Sequence, residues 1–207
     1  MIAVIDYGAG NLRSVMHALH HLGERDVTLI RSAADIATLR RAQRIVLPGV
    51  GSFGAALKQL RATGITAALR AALLGGCPYL GICLGMQFLF EGSEEDPSVP
   101  GLGLIGGTVR RFSATPTHPV PHMGWNQLHR ARPSPLLNGV SDESYVYFVH
   151  SYYCSPADET DALLTTDYGG PFCSAIQRDH LFAVQFHPEK SQRIGLQILA
   201  NFLEWRG

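Results

Sequence analysis

The sequence predicts an α/β fold built on an open, mostly parallel sheet, with helices on both faces and antiparallel additions in the C-terminal half. In the first half, short apolar runs alternate with helical patterns, which is typical of parallel strands joined by crossover helices. In the second half, β-rich runs are separated by proline-rich loops, which favours antiparallel strands. We therefore expect a site at the carboxyl ends of the parallel strands, where open α/β sheets bind their ligands.

The length and composition predict a single domain over residues 1–207, folded around one large core. Apolar residues make up 46% of the chain and charged residues 16%, a balance that excludes intrinsic disorder. Lys plus Arg and Asp plus Glu both number 17, so there is no basic excess to bind a nucleic acid or an anionic membrane. We expect neither as a partner.

The N-terminal segment begins directly as a strand and lacks the basic and apolar regions of a signal peptide, so we expect a cytoplasmic protein. Residues 71–90 carry no charge and are long enough to cross a bilayer, but Gly75, Gly76 and Pro78 interrupt them. We therefore expect no membrane span. The four cysteines are too few and too scattered for a disulfide scaffold, and we expect free thiols.

Apolar runs and helical periodicity define the elements of the first half. The predicted strands are Ile2–Asp6, Val27–Ile30, Arg44–Leu47 and Tyr79–Ile82. The predicted helices lie at about Leu12–Leu22, Ala34–Leu39, Ala55–Leu60, Thr66–Leu74 and Leu84–Phe90.

The second half is richer in β structure. Gly107–Phe112 and Tyr145–Tyr153 are predicted strands. Phe172–Gln177 and Leu181–Gln185 flank a turn, which predicts a hairpin. A C-terminal helix begins at about Ser191, and its apolar face carries Ile194, Ile198, Phe202 and Trp205.

Cys83 lies between two glycines, Gly81 and Gly85, at the point where an apolar strand changes into a helical run. A sharp strand-to-helix turn holds its central residue in a strained conformation, and small neighbours remove the clashes that would forbid it. The following helix N-terminus would favour a thiolate and offer free N–H groups to an oxyanion. A buried core cysteine between packing glycines is the alternative for this motif taken alone.

His187-Pro188-Glu189 follows the last predicted strand. At a spacing of two in extended conformation, His187 and Glu189 would project to the same side, and Pro188 would stiffen the segment between them. This geometry suits a general base and the carboxylate that orients it. An isolated motif of this kind is more often an ordinary strand end, but together with Cys83 it favours a catalytic interpretation.

Pro48-Gly49-Val50-Gly51 leaves the carboxyl end of the third predicted strand. Two glycines allow a peptide unit to turn its N–H toward a substrate oxygen, so this loop could supply an oxyanion donor. Taken alone, the segment is better interpreted as a strand-to-helix turn.

Three motifs together resemble the class I (triad) glutamine amidotransferases: Gly81–Gln87, Pro48–Gly51 and His187–Glu189. They occur in the order found in that family, and the resemblance covers nearly the whole chain. Two further segments, Asp6–Leu12 and Pro121–Asn126, resemble the branch that serves as the glutaminase subunit of imidazole glycerol phosphate synthase in histidine biosynthesis.

The resemblance implies that Cys83 attacks the glutamine side-chain amide, that His187 moves the proton to the departing ammonia, and that Glu189 orients His187. It further implies oxyanion donors at Gly49, Val50, Gly51 and Leu84, and glutamine-binding positions at Gln87, Glu95, Ser151 and Tyr152.

The same resemblance implies a heterodimer with a (β/α)8-barrel cyclase that receives the ammonia. The implied interface positions are Asn11, Trp125, Tyr147 and Lys190. Two alternatives remain open: the glutaminase of another triad amidotransferase, such as that of vitamin B6 synthesis, and a catalytically silent homologue that serves as a scaffold.

Two other patterns carry no function. Residues 101–106 match G-x-G-x-x-G, but they follow a loop and precede a β-like run, so they lack the strand and helix that a dinucleotide site requires. His17, His20 and His21 share helical spacing without a Cys or acidic residue at metal-ligand spacing. We expect neither a cofactor nor a metal.

Overall fold

The parallel half of the sheet is formed by strands from both ends of the chain. The computed structural model describes residues 1–207. Strands β1 (Ile2–Ile5), β2 (Val27–Ile30), β3 (Arg44–Gly49) and β4 (Tyr79–Cys83) pair in the order β2-β1-β3-β4, all parallel. The late strand β13 (Leu181–Val184) joins β4, again parallel. The predicted parallel sheet is confirmed, and it places β13 next to the strand that ends at Cys83.

Antiparallel strands extend the sheet beyond β13, as predicted. They are β5 (Gly92–Ser93), β6 (Gly107–Arg111), β8 (His129–Arg130), β10 (Tyr152–Pro156), β11 (Ala162–Asp167) and β12 (Pro171–Arg178). The order continues β13-β12-β10-β6-β5, and β11 pairs with β12 and β8. Within this extension β5 and β6 alone pair in parallel. A separate two-stranded sheet consists of β7 (His122–Gln127) and β9 (Tyr145–His150).

Helices cover both faces of the sheet. They are α1 (Leu12–His21), α2 (Ile36–Leu39), α3 (Phe53–Ala62), α4 (Thr66–Leu74), α5 (Leu84–Gln87) and α6 (Gln192–Glu204). One buried cluster contains the inner faces of α3 and α4, for example Leu57 and Leu69. A second contains those of α1 and α6, for example Leu19 and Ile198. None of these helices combines the length and the apolar character needed to cross a bilayer.

The predicted helix over Leu84–Phe90 is wrong in its length, because α5 ends at Gln87. The next three carbonyl groups, those of Phe88, Leu89 and Phe90, accept hydrogen bonds from backbone N–H groups of residues 102–105. A bond from a distant loop therefore replaces the intrahelical bond that would continue the helix. The glycine-rich segment 101–106 serves this backbone pairing and is flanked by neither the strand nor the helix of a dinucleotide site.

Two further predicted elements differ from the structure. The β-rich run Tyr145–Tyr153 is divided at Ser151 into β9 and β10, which belong to different sheets. The short helix predicted at Ala34–Leu39 begins as a 3-10 turn at Ala33, with Ser32 and Asp35 forming a capping box, and continues as α2. All four cysteines are free thiols.

Candidate active site

Cys83 occupies a sharp bend between β4 and α5. Its backbone has a φ of 56° and a ψ of −107°, a region that residues with a Cβ atom rarely adopt. Neither flanking glycine has space for a side chain: a Cβ on Gly81 would overlap the Gly85 carbonyl, and one on Gly85 would overlap the Leu47 carbonyl. Close backbone approach thus holds the bend, and Cys83 is only 6% exposed.

The helix behind Cys83 is a single turn, so the expected contribution of a helix dipole is small. The features of the predicted strand-to-helix turn that remain are the positions of Cys83 and Leu84. Cys83 is the residue that caps α5, and Leu84 is the first residue of the turn. Leu84 and Cys83 both line the same cavity.

His187 and Glu189 form a buried hydrogen-bonded pair. His187 Nδ1 lies 2.8 Å from Glu189 Oε1, and the two side chains are 2% and 0% exposed. The predicted extended conformation is wrong here, because Pro188–Lys190 form a 3-10 turn that begins directly after an extended His187. Proline is well suited to the first position of such a turn, and the turn folds the carboxylate back onto the imidazole.

Cys83 and His187 line one cavity of about 310 Å³ at the carboxyl edge of the parallel strands. The predicted site residues in its wall are Val50, Gly51, Cys83, Leu84, Gln87, Glu95, Ser151, Tyr152 and His187. Three residues that the sequence did not single out for this site, Pro121, Val149 and His150, complete the lining. The volume is sufficient for an amino acid.

The imidazole of His187 is strongly biased toward its charged form. Burial alone would lower its pKa, but the neighbouring Cys83 and the hydrogen-bonded carboxylate of Glu189 raise the pKa to about 10. The Nε2 atom is buried and has no hydrogen-bond partner within the chain. A charged imidazole can stabilise a sulfur anion and can donate a proton to a leaving group.

A second donor holds the carboxylate of Glu189. Asn11 Nδ2 donates a hydrogen bond of 3.0 Å to Glu189 Oε1, the oxygen that also contacts His187. The other oxygen, Oε2, is buried without a partner. The structure therefore places Asn11, a predicted interface residue, directly behind the histidine and carboxylate pair.

The loop after β3 differs in one position from the predicted arrangement. Gly49 belongs to β3 and pairs with Cys83 rather than lying in the cavity wall. A Cβ there would meet the Tyr7 hydroxyl at 2.5 Å and the Leu84 Cβ at 2.6 Å, so Gly49 permits close packing of the two strand ends. Val50 and Gly51 do line the cavity, and Gly51 has a φ of 102°, which favours glycine.

Glu95 connects the cavity to the start of α3. Its Oε2 atom accepts a hydrogen bond of 2.6 Å from the Phe53 N–H, the first residue of that helix. Because α3 directly follows the Val50–Gly51 loop, this bond anchors the loop from its far end. Elsewhere in the cavity lining, the Tyr152 carbonyl accepts hydrogen bonds from His150 Nδ1 at 2.7 Å and from Gln87 Nε2 at 3.4 Å.

The other three predicted interface residues form one surface stack. The Trp125 and Tyr147 rings meet edge to face with centroids 6.1 Å apart, and Lys190 Nζ lies 5.7 Å from the Tyr147 centroid. Trp125 is 46% exposed, and Met123 and Tyr145 on the same two-stranded sheet are 62% and 54% exposed. Large apolar side chains are thus concentrated on one face beside Glu189, which is typical of a protein-binding surface.

Gln185 and the buried histidine pair His122 and His150 were not identified from the sequence. Gln185 is fully buried and contacts Cys83 Sγ at 3.5 Å. One signal could have revealed it, because it is the polar residue within an otherwise apolar run, Leu181–Phe186. No comparable pattern marks His122 and His150, which meet only because β7 pairs with β9.

Comparison with known proteins identifies the family of this chain. The family model for class-I glutamine amidotransferase matches residues 3–205. Proteins called imidazole glycerol phosphate synthase subunit HisH are similar to this chain. The one from Synechococcus sp. (strain JA-3-3Ab) is 49% identical, and the match covers 99% of this chain and 93% of that protein. The one from Deinococcus radiodurans is also 49% identical, and the match covers 97% of this chain and 92% of that protein.

Solved structures share the fold at lower identity. A crystal structure of a glutamine amidotransferase has a TM-score of 0.75 at 19% identity and covers 99% of this chain and 98% of its own. A chain from the structure of PurLQS from Thermotoga maritima has the same TM-score and identity, over 98% and 97%. A whole-length family match and relatives at nearly half identity establish that this chain is an enzyme of the class I glutamine amidotransferase family.

Proposed function

We propose that this chain is the glutaminase subunit of an imidazole glycerol phosphate synthase, formed by one domain over residues 1–207. The observation that carries the proposal is the cavity that contains both Cys83 and His187, with Glu189 bonded to His187. Relatives with that subunit name match the chain over nearly its full length, which favours this acceptor system over that of vitamin B6 synthesis.

In the proposed reaction, the proton of the Cys83 thiol resides on His187 when glutamine is bound, and the Cys83 sulfur attacks the carbon of the glutamine side-chain amide. The tetrahedral adduct collapses as His187 protonates the leaving nitrogen, which departs as ammonia and leaves a thioester on Cys83. Water then attacks the thioester with His187 as base, and glutamate leaves as the C–S bond breaks. The 2.8 Å contact with Glu189 keeps Nδ1 protonated so that Nε2 faces the sulfur and substrate.

The remaining cavity residues have proposed roles that follow from their chemistry. The N–H groups of Val50 and Leu84 stabilise the oxyanion, and Gly49 and Gly51 allow the loop its close approach and its turn. The glutamine is held by groups in the cavity wall: Gln87, Glu95, Ser151 and Tyr152. The Glu95 carboxylate is the natural partner for the α-ammonium group of glutamine.

We assign the partner to the surface next to Glu189. A (β/α)8-barrel cyclase would cover Trp125, Tyr147 and Lys190, contact Asn11, and receive ammonia without its passing through solvent. The exposed aromatic face supports this assignment, because large exposed apolar patches are uncommon on proteins that have no binding partner.

The test is a steady-state assay of glutamate release and of imidazole glycerol phosphate synthesis, with and without the cyclase and its nucleotide. We expect Cys83→Ala to abolish glutamine-dependent turnover in the complex while ammonia-dependent synthesis persists. Glutamine-dependent turnover that survives the substitution would overturn the assignment of Cys83. A complex that uses a different ammonia acceptor would overturn the choice of pathway but leave the glutaminase assignment intact.

A further inference from the structure

The nucleophile has a buried neighbour that the reaction described so far does not use. Gln185 lies directly after β13, is fully buried, and donates from Nε2 to Cys83 Sγ at 3.5 Å. Its backbone N–H is fixed by a 2.9 Å bond to the Ser174 carbonyl. A neutral amide inside an apolar strand end costs free energy unless its groups are paired, so its position requires an explanation.

The direction of this hydrogen bond follows from the network behind it. The Tyr152 carbonyl can only accept, so Gln87 must present its NH2 group there, at 3.4 Å. The same NH2 group lies 3.0 Å from Gln185 Oε1, which must therefore be the carbonyl oxygen. The remaining group of Gln185, its NH2, then faces the sulfur. Reversing either amide would set two donors or two acceptors against each other.

The arrangement has a cost elsewhere, because Gln87 Oε1 is left buried without a partner. A buried carbonyl oxygen without a hydrogen-bond partner destabilises the folded chain. Buried polar atoms without a hydrogen-bond partner are rare in networks that serve only stability, and they occur more often at functional sites.

We propose that Gln185 is a further residue of the reaction, whose amide N–H stabilises the negative charge on the Cys83 sulfur, and that Gln87 fixes the amide in the donating orientation. This inference rests on the proposed glutaminase function for its role in turnover. The thiol proton goes to His187, and the N–H of Gln185 then donates to the sulfur anion, which accepts far better than a thiol or a thioester. The bond is therefore strongest before attack and again when the C–S bond of the adduct breaks.

Two substitutions separate this role from simple packing. Gln185→Glu keeps an oxygen that accepts from Gln87 but replaces the donor to the sulfur with an acceptor. Gln185→Met removes the donor without adding a charge and keeps a side chain of similar length. Gln59→Glu, on an exposed position of α3, is the control for the same change in composition.

The measurement is the rate of Cys83 alkylation by iodoacetamide against pH, resolved by peptide mass spectrometry so that Cys77 is scored separately. The full chain is used without glutamine or a partner. Thiolate absorbance, taken as the difference between each variant and its Cys83→Ala counterpart, gives the same titration without depending on reagent access. Thermal unfolding of each variant is recorded in parallel.

Hydrogen bonds to charged groups contribute about 1.5–3 kcal/mol, so we expect at least about tenfold slower alkylation near neutral pH for both Gln185 variants. Their profiles should move to higher pH, and that of Gln59→Glu should match the parent chain. If the pH profile of Gln185→Met coincides with that of the parent chain, the proposal is overturned. This outcome decides the matter even if Gln185→Glu fails to fold. The alkylation rate is measured without glutamine, so it does not depend on the proposed glutaminase function. The two proposals can therefore fail independently of each other.

Discussion

Asn11 donates a hydrogen bond of 3.0 Å to the carboxylate of Glu189, across 178 positions of the sequence. The oxygen that accepts it, Oε1, also accepts from His187. Asn11 directly precedes α1 and lies on the surface that we assign to the partner. One side chain thus joins the proposed docking surface to the proposed catalytic pair, His187 and Glu189.

We predict that Asn11→Ala lowers the rate of glutamine hydrolysis in the complex by about tenfold. Removing the amide leaves a buried carboxylate with one donor for two oxygens, and a hydrogen bond to a charged group is worth about 1.5–3 kcal/mol. Glu189 would then hold His187 less firmly. The measurement is kcat for glutamate release at saturating cyclase, so that weaker docking does not enter the rate.

The control for this substitution is Asn138→Ala, because Asn138 is an exposed asparagine outside the proposed surface. Affinity for the cyclase is measured for both variants by calorimetry. An Asn11→Ala complex that turns over at the parent rate would show that the bond to Glu189 does not contribute to the reaction.

Alanine substitution at Gly85 should destabilise the fold more than alanine substitution at Gly92. A Cβ at Gly85 would overlap the Leu47 carbonyl, where neither backbone can move without disturbing the Cys83 bend. We expect Gly85→Ala to lower the free energy of unfolding by about 3 kcal/mol. Gly92→Ala is the matched control, since a Cβ there meets nothing within 4 Å. Guanidinium denaturation measures both, and equal stabilities would contradict the packing argument.

The sequence predicted the parts of the fold that depend on local pattern. A short apolar run such as Tyr79–Ile82, bounded by turn residues, predicts a buried strand, and the carboxyl-edge rule then brings Cys83 and the loop at Gly51 together. The pairing of β13 with β4, which adds His187 to the same edge, is a contact between distant segments that periodicity does not encode.

Two of the errors arise from hydrogen bonds between distant segments, and one arises from local turn geometry. The helix after Cys83 was predicted too long because helix patterns do not reveal that residues 102–105 compete for its carbonyl groups. The extended His187–Glu189 geometry was wrong because proline favours a turn start as readily as a stiff strand end. The role of Gln185 was missed because its partners, Gln87 and Cys83, lie about a hundred positions away in the sequence.

Trp125 is predicted to carry much of the affinity for the cyclase. It is a half-exposed aromatic side chain packed against Tyr147, the arrangement that commonly forms the centre of a protein interface. We expect Trp125→Ala to weaken binding by about 2 kcal/mol, or roughly thirtyfold in Kd. Isothermal titration calorimetry with the purified cyclase measures it.

Leu74→Ala is the control for Trp125→Ala, because Leu74 is 63% exposed but lies at the end of α4, on the opposite face of the sheet from α1. Its substitution should leave the affinity unchanged. If the two variants bind equally well, the cyclase docks elsewhere and the aromatic face needs a different explanation.

The His122 and His150 pair should make the fold sensitive to acid. His122 Nδ1 lies 2.9 Å from His150 Nε2, and His150 Nδ1 donates to the Tyr152 carbonyl at 2.7 Å. With both rings neutral, His122 Nδ1 donates to His150 Nε2 and every group in this chain of hydrogen bonds is paired, whereas two protonated rings would each direct an N–H at the other. Burial is the largest cause that lowers the pKa of His150 to about 3 and that of His122 to about 4.

Both pKa values lie below the value of about 6.5 expected in the unfolded chain, so the unfolded chain binds more protons as pH falls below that point. The free energy of unfolding should therefore decrease with falling pH, by up to about 1.4 kcal/mol per pH unit for each histidine. The decrease begins near pH 6.5 and ends only as pH passes through the folded values. Urea unfolding at a series of pH values from about 7 to about 5 measures the slope.

His150→Gln removes one titrating group from this pair and leaves His122 as the only remaining one. We expect the variant to be less stable than the parent near pH 7, because packing and one hydrogen bond are lost, yet to show a shallower decrease between about pH 6.5 and pH 5. His17→Gln, on the exposed face of α1, should keep the parent slope. Since carboxylates contribute equally to parent and variant, a slope unchanged by His150→Gln would mean that the buried pair is protonated in the folded chain. The hydrogen-bond direction from His122 to Tyr152 would then have to be reassigned.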